Sequence, residues 1–322
     1  MSRKGPGFLL EIVRYRRWWF TLSALLIVPG LISLLFFPFF IGLSPLQIKP
    51  NIKAGIDFTG GSLLEVKAPG VTGDQLKAAL PAEYGQAVVQ STGDQTFQLR
   101  LKDLTPEQHN DALTKLKAVN PKITEQRFDT VGPTIGKDIT RKAILSVIFG
   151  ALLIILYIAY SFRNVPRPAS SWRFGMVTIA ALLHDIIFTL GFFSLLGRFA
   201  GIEIDATFVA AVLTVIGFSV HDTIVVFDRI RENLLRGQGS TLEDAVNFSI
   251  VQTLVRSINT SLTVLLVLAA MVFFGGASIH DFVLALLVGV AIGTYSSIFN
   301  AAPLLVTWQN FSDKRAKRAK SH

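Results

Sequence analysis

Apolar residues arrive along this chain in six blocks, near positions 18–41, 143–162, 174–196, 206–227, 258–274 and 282–308. Each is close to the roughly 20 residues that cross a hydrocarbon core about 30 Å thick. The first block is long, rich in Phe and Leu, and ends in Pro45 and Pro50. A cleaved signal peptide has a shorter apolar core and a small-residue cleavage site, so this block reads as an uncleaved anchor. The expected class is a polytopic α-helical membrane protein with six transmembrane helices.

One long segment, 42–141, breaks the apolar rhythm and reads as β-α-β-β-α-β. Strand patterns cover 62–67, 87–90, 96–101 and 123–131, with a hairpin turn at 91–94. Thr72 with Gln75, and Thr105 with Pro106 and Gln108, have the spacing of capped helix starts, for helices ending near Leu80 and Val119. That order is the split βαβ of an α+β ferredoxin-like domain. It holds no evident nucleophile–base pair or phosphate loop, so a binding or lever domain is expected rather than an enzyme.

The 322 residues are 51% hydrophobic and 16% charged, with a net charge of +9. Placement of that charge decides its meaning. Basic residues flank the apolar blocks (Arg14, Arg16 and Arg17; Arg163, Arg167 and Arg173; Lys314 to Lys320), which is the positive-inside signature and not a nucleic-acid footprint. The remaining connections hold Arg198 beside Glu203, Asp205 and Asp281. The expected organisation is a cytoplasmic N-terminus (1–17), a first span (18–41), an extracytoplasmic domain (42–141), five further spans (142–308) and a basic cytoplasmic tail (309–322). With no Cys and no paired-His motif among five His, neither a metal nor a cofactor is expected.

An ionisable residue inside a span costs about 2.5–3.5 kcal/mol on insertion scales and usually faces the bundle interior. His184-Asp185 falls near the middle of the third span, where a structural interhelical hydrogen bond and a transport role are equally good readings. His221-Asp222 lies toward the inner end of the fourth, with Asp222 roughly 9 Å from Asp228 along the helix. That depth fits a hydrated helix end or a buried titrating group. Arg256, Asn259, Thr260 and Thr263 form a polar stripe at helical period along the fifth span. Arg256 by itself could snorkel to the cytoplasmic surface; with that stripe beside it, the expected partner is Asp222 across the helical hairpin. Such a pair suits a proton relay, because moving a guanidinium switches a carboxylate between its states. Ala285, Gly289 and Gly293 offer a small-residue face for close helix contact. The segment 241–255 reads as amphipathic and interfacial. Before the first strand, Gly55-Ile56-Asp57-Phe58-Thr59-Gly60-Gly61 reads as a glycine turn whose Asp57 caps local backbone.

These residues together resemble the SecF family, the smaller partner of SecD in the bacterial Sec translocase, within the RND superfamily. The resemblance rests on Gly55-Ile56-Asp57-Phe58-Thr59-Gly60-Gly61, on Leu183-His184-Asp185, on Gly217 through Asn233 and on Gln252 through Ser261, and covers nearly the whole chain. It implies an RND-type half bundle in the inner membrane. It also implies proton-coupled pulling or release of unfolded secreted polypeptides, with SecD and SecYEG as partners and YajC as an accessory one. It points to Asp222 and Arg256 as the proton-linked charges. His221 stands where many relatives carry Asn, adding a titrating group. Two other readings use the same residues: a proton-driven RND exporter of small molecules or lipids, and a non-transporting scaffold subunit. Sodium as well as protons fits as the coupling ion.

Overall fold

The computed structural model describes residues 11–35, 52–84, 88–93, 95–163, 165 and 170–319. The expected features at 1–10, at 36–51 (the end of the first span and start of the insert), at Ala87 and Asp94, within the 163–173 loop and at 320–322 lie outside the described residues. The chain divides into two compact units, one built from the described residues up to 52 with 147–202 and 207–322, the other from 53–146 with 203–206.

Six helices of the described chain are long and apolar enough to cross a membrane. They are α1 (Arg16–Leu35), α5 (Pro133–Ser161), α6 (Ser171–Phe199), α7 (Ala206–Leu235), α8 (Leu242–Phe274), and a last span in which α9 (Ala277–Ser296) runs through a π turn (Ser297–Ala301) into α10 (Ala302–Ala319). Several of these helices run past the apolar blocks: α5 starts at Pro133, α7 continues to Leu235 and α8 starts at Leu242. The largest difference is at 241–255. This segment is not a separate interfacial helix but the first half of α8, a continuous 33-residue rod. Thr241 and Asp244 cap its start reciprocally, and nothing between Val255 and Ile258 breaks it.

Small residues set the closest crossings in this unit. A Cβ on Gly30 of α1 would lie 2.7 Å from Gly191 of α6, and beside that crossing Ser33 and Ser194 share a hydrogen bond of 2.7 Å. On α9, a Cβ on Gly289 would strike the Val215 side chain of α7, and one on Gly293 would meet Ser219 at 3.0 Å. Where lipid replaces water as solvent, such backbone approach and its hydrogen bonds take over from hydrophobic burial as the packing force. Phe162, Phe174 and Phe227 stack edge-on at one end of the bundle.

The second unit is an antiparallel sheet in the order β2-β3-β1-β4, with two helices. Its elements after the one-turn α2 (Ile56–Thr59) are β1 (Gly61–Lys67), α3 (Gly73–Ala79), β2 (Val88–Gly93), β3 (Thr96–Leu101), α4 (Pro106–Val119) and β4 (Thr124–Val131). This is the ferredoxin-like order. Both helix starts carry the reciprocal Thr–Gln capping box that their spacing predicts. Leu64, Val66 and Leu99 from the sheet and Leu76, Ala112 and Leu116 from the helices form a sealed core. Alternation in the strands and a 3.6 period in the helices put them there.

Candidate functional site

The membrane unit holds two buried polar clusters, and their construction differs. The first surrounds Asp185 on α6, which is fully buried. One carboxylate oxygen faces His184 Nδ1 at 2.8 Å. The other accepts from Ser219 of α7 and from Ser296 of α9, the latter at 2.7 Å. On the far side of the ring, His184 Nε2 lies 3.2 Å from Ser23 Oγ of α1 and 3.0 Å from Asn300 Nδ2 in the π turn. Ser23 donates to Tyr295, which donates to the Trp19 carbonyl. Four spans thus meet at one polar cluster.

The second cluster surrounds Asp222 on α7, which is 2% exposed. Its partners are hydroxyls: Ser261 of α8 at 3.3 Å and Thr294 of α9 at 3.4 Å, themselves joined by a 2.7 Å bond. These are long contacts for a carboxylate, whose charge-assisted bonds from hydroxyls normally fall near 2.5–2.7 Å. The expected contact with Arg256 is not made. Arg256 precedes Ser261 by five residues, which at 3.6 residues per turn rotates it roughly 140° around α8. Arg256, Asn259, Thr260 and Thr263 all lie on an exposed face of the helix, and His221 is likewise exposed on α7. Arg256 has no ion-pair partner among the described residues. A buried carboxylate and an open polar stripe therefore stand beside each other on one hairpin.

The glycine signature has a specific structural use in the second unit. Asp57 does not cap local backbone; its Oδ2 accepts from the N–H of Ala206, the first residue of α7, at 2.8 Å. Lys53 and Gly55 bracket Ile204 with backbone bonds of 2.8 and 2.7 Å. A Cβ on Gly55 would lie 3.0 Å from the Ile204 carbonyl. Gly60 and Gly61 take φ of 73° and 118°, conformations open to glycine, and a Cβ on Gly61 would strike the Leu101 carbonyl at 2.7 Å. The half-buried Phe58 offers its carbonyl to Thr140 of α5 at 3.4 Å. Arg100 of β3 closes the clasp, bonding Glu203 at 2.6 Å, the Ala54 carbonyl at 2.7 Å and Thr59 at 2.8 Å. Burial pushes the Glu203 carboxyl above its ordinary value, although Arg100 and Lys53 pull it down.

Sequence reasoning missed Ser23, Ser219, Thr294, Ser296, Asn300, Arg100 and Glu203 as site members. A signal existed for part of this set. Gly289, Gly293, Ser296 and Asn300 recur at helical spacing on one face, which extends the small-residue stripe into polar residues. No local pattern announces Ser23 or Arg100, whose partners lie far away in the chain. Among the described residues, no three His, Asp or Glu side chains are grouped as a metal site requires.

Comparison with known proteins adds a family to this geometry. The family model for the protein export membrane protein SecD/SecF, C-terminal, matches residues 111–311. A SecF protein translocase subunit of Thermobaculum terrenum is 44% identical over 94% of this chain and 95% of its own. A SecDF subunit of Thermus thermophilus is 38% identical over 79% of this chain and 34% of its own. The crystal structure of SecDF from Thermus thermophilus, described as a translocon-associated membrane protein, superposes with a TM-score of 0.78 at 35% identity. That match covers 96% of this chain, which spans 40% of the solved one. With six membrane-length helices and relatives that match nearly end to end, the chain is a multi-pass membrane protein that belongs to the SecF family of protein translocase subunits.

Proposed function

We propose that the chain works with a SecD-type partner, drawing on the proton-motive force to promote late steps of protein export across the bacterial inner membrane. In this reading both termini are cytoplasmic, residues 42–141 are extracytoplasmic, and the substrate is an unfolded secreted polypeptide emerging from a SecYEG translocon, with YajC as an accessory partner. Asp222 carries the proton and Arg256 is its switching charge. His221, His184 and Asp185 extend the titrating path, and Asn259, Thr260 and Thr263 line its polar route.

The observation that carries this reading is the unfinished state of the Asp222 site. Asp222 is buried, loosely held by two hydroxyls, and flanked by a polar stripe headed by Arg256, which has no ion-pair partner among the described residues. A guanidinium facing lipid is unfavourable, and a second helical bundle packed over the stripe relieves it. The SecDF relative, in which this chain's match spans about a third of the length, supplies the kind of partner required. A guanidinium approaching a buried carboxylate favours its ionised form, and retreat favours protonation. Each proton crossing then releases roughly 2.3 kcal/mol per 100 mV. The Asp57–Ala206 clasp gives that movement a route, because it ties the glycine signature to the first residue of the helix that carries Asp222.

The test is Asp222→Asn, reconstituted with the SecD-type partner and the translocon in membrane vesicles. Assembly should persist while stimulation of secretion by the gradient disappears. Normal stimulation would reduce the chain to a scaffold. Running the assay in proton and sodium gradients separately identifies the coupling ion.

A further inference from the structure

We propose that the side-chain amide of Asn300 reads and sets the proton count of the His184–Asp185 pair by turning over when a proton binds. This deepens the proton-coupled reading and rests on it, but it concerns a cluster separate from Asp222.

The inference follows from donor and acceptor accounting. Asn300 Nδ2 sits 3.0 Å from His184 Nε2 and 2.5 Å from Ser23 Oγ, so the amide spends one N–H on each. Nε2 must then be a bare acceptor, and the ring proton resides on Nδ1, donated to Asp185 at 2.8 Å. Asp185 in turn accepts from Ser219 and Ser296, as an ionised carboxylate does. The pair holds one proton in this state, and every donor in the chain from Asn300 through Ser23 and Tyr295 to the Trp19 carbonyl has an acceptor.

A second proton taken up on the ring changes one thing. Whether the ring becomes imidazolium or its Nδ1 proton passes to Asp185, Nε2 now carries a hydrogen. Two N–H donors then face each other 3.0 Å apart, whatever Ser23 offers. Rotating the amide by half a turn resolves this, since Oδ1 accepts from Nε2–H and from the Ser23 hydroxyl together. Asn300 Oδ1 is buried with no hydrogen-bond partner, so the rotation breaks no bond on that side and only exchanges which end of the amide is unpartnered. Asn300 also lies in the π turn, a helix irregularity frequent at functional sites. Asp185 and the Tyr295 phenol are the other titratable groups bonded into the cluster; α1 and α7 bring hydroxyls, and α1 adds the Trp19 carbonyl.

The experiment is side-chain 15N NMR of the full chain in lipid nanodiscs, with His and Asn labelled. Signals are identified by their loss in His184→Gln and Asn300→Leu. His184 Nε2 should pass from protonated to bare as pH is raised. The Asn300 amide resonances should move with the same midpoint. Asn300→Asp, which when ionised can only accept, should shift that midpoint. Amide signals that stay still while His184 titrates, or a midpoint unmoved in Asn300→Asp, overturn the inference and leave Asn300 a packing residue. A His184 whose signals stay unchanged as pH is varied overturns the proton role of the pair as well. Asp222→Asn should leave all of these readings unchanged, which separates this inference from the export assay.

Discussion

Asp185 and Asp222 are both buried in the same bundle, yet the chain treats them differently. Asp185 is enclosed by groups from three helices, and the His184 ring beside it is braced on its far side by α1 and the π turn. Asp222 has two long contacts to hydroxyls, and the charge expected to answer it faces outward on α8. In a medium without water, polar groups must find partners within the protein. A site that satisfies this rule within one chain holds that chain together. In the proposed reading, a site that meets it only loosely is completed by the partner.

The largest effect that could break this comparison is on stability. His184→Leu removes the donor to one oxygen of the buried Asp185, and leaving a buried, charged acceptor unsatisfied costs about 3 kcal/mol. Thermal unfolding of the chain alone in detergent should show that loss. Asp222→Asn keeps the hydroxyl contacts and should change the same transition by no more than about 1 kcal/mol. If the two effects were reversed, Asp222 would be the structural residue and Asp185 the one awaiting company.

The clasp at the glycine signature provides an intermediate case, complete within the chain but at a helix end. Asp57→Ala removes the acceptor for the first N–H of α7 and should cost about 1 kcal/mol, as loss of a helix cap does. Hydrogen exchange at Ala206 in the full chain reads this directly. Unchanged protection there would mean that the Lys53 and Gly55 backbone bonds to Ile204 hold the helix start without it.

How much of this was legible before the structure follows from the range of each interaction. The six spans and the ferredoxin-like insert were legible, because hydropathy blocks, alternating strands and Thr–Gln capping boxes are written locally. The position of Asp222 in a helix interior was legible for the same reason. Its partner was not. A stripe at 3.6-residue period shows that Arg256, Asn259, Thr260 and Thr263 share a face, but not which neighbour that face meets. The rotation between Arg256 and Ser261 decides that, and Ser261, not Arg256, turned toward α7. Asp57 illustrates the same limit: its residue type announced a cap, while the backbone it caps lies 149 residues away.

Arg256→Leu tests the open side of the comparison, and in the isolated chain it should be nearly silent. Exposed substitutions away from caps and networks usually fall within about 0.5 kcal/mol. The expected result is unchanged unfolding of the chain alone, with loss of gradient-stimulated secretion once the SecD-type partner is present. Marked destabilisation of the chain alone would show that Arg256 has a partner within it, and the contrast with His184 would fail.

The smallest effect repeats the comparison outside the membrane, where titration is directly readable. Asp111 on α4 accepts from Lys115 and from Tyr84, and these bonds hold its carboxyl below the ordinary value. The same bond pushes the Tyr84 phenol up to about 12. Glu203 is the opposite case, since burial outweighs the pull of Arg100 and raises it. The signs of the pH dependence therefore differ. Stabilisation from Asp111 is complete above the usual carboxylate range and ebbs as pH falls through that range toward its depressed folded value. The clasp around Glu203 favours the folded state more as pH falls from its raised folded value to the ordinary one, and less as pH rises back through it. On mild acidification, with intrinsic exchange rates corrected, protection of the Gly55 and Ile204 amides should rise while that of the α4 amides falls. Glu203→Gln should erase the first trend and Asp111→Asn the second. If both sets of amides lost protection together, Glu203 would be held as firmly as Asp111. Burial beside two cations would then equal a fitted set of hydrogen bonds, and the distinction drawn between Asp222 and Asp185 would lose its physical basis.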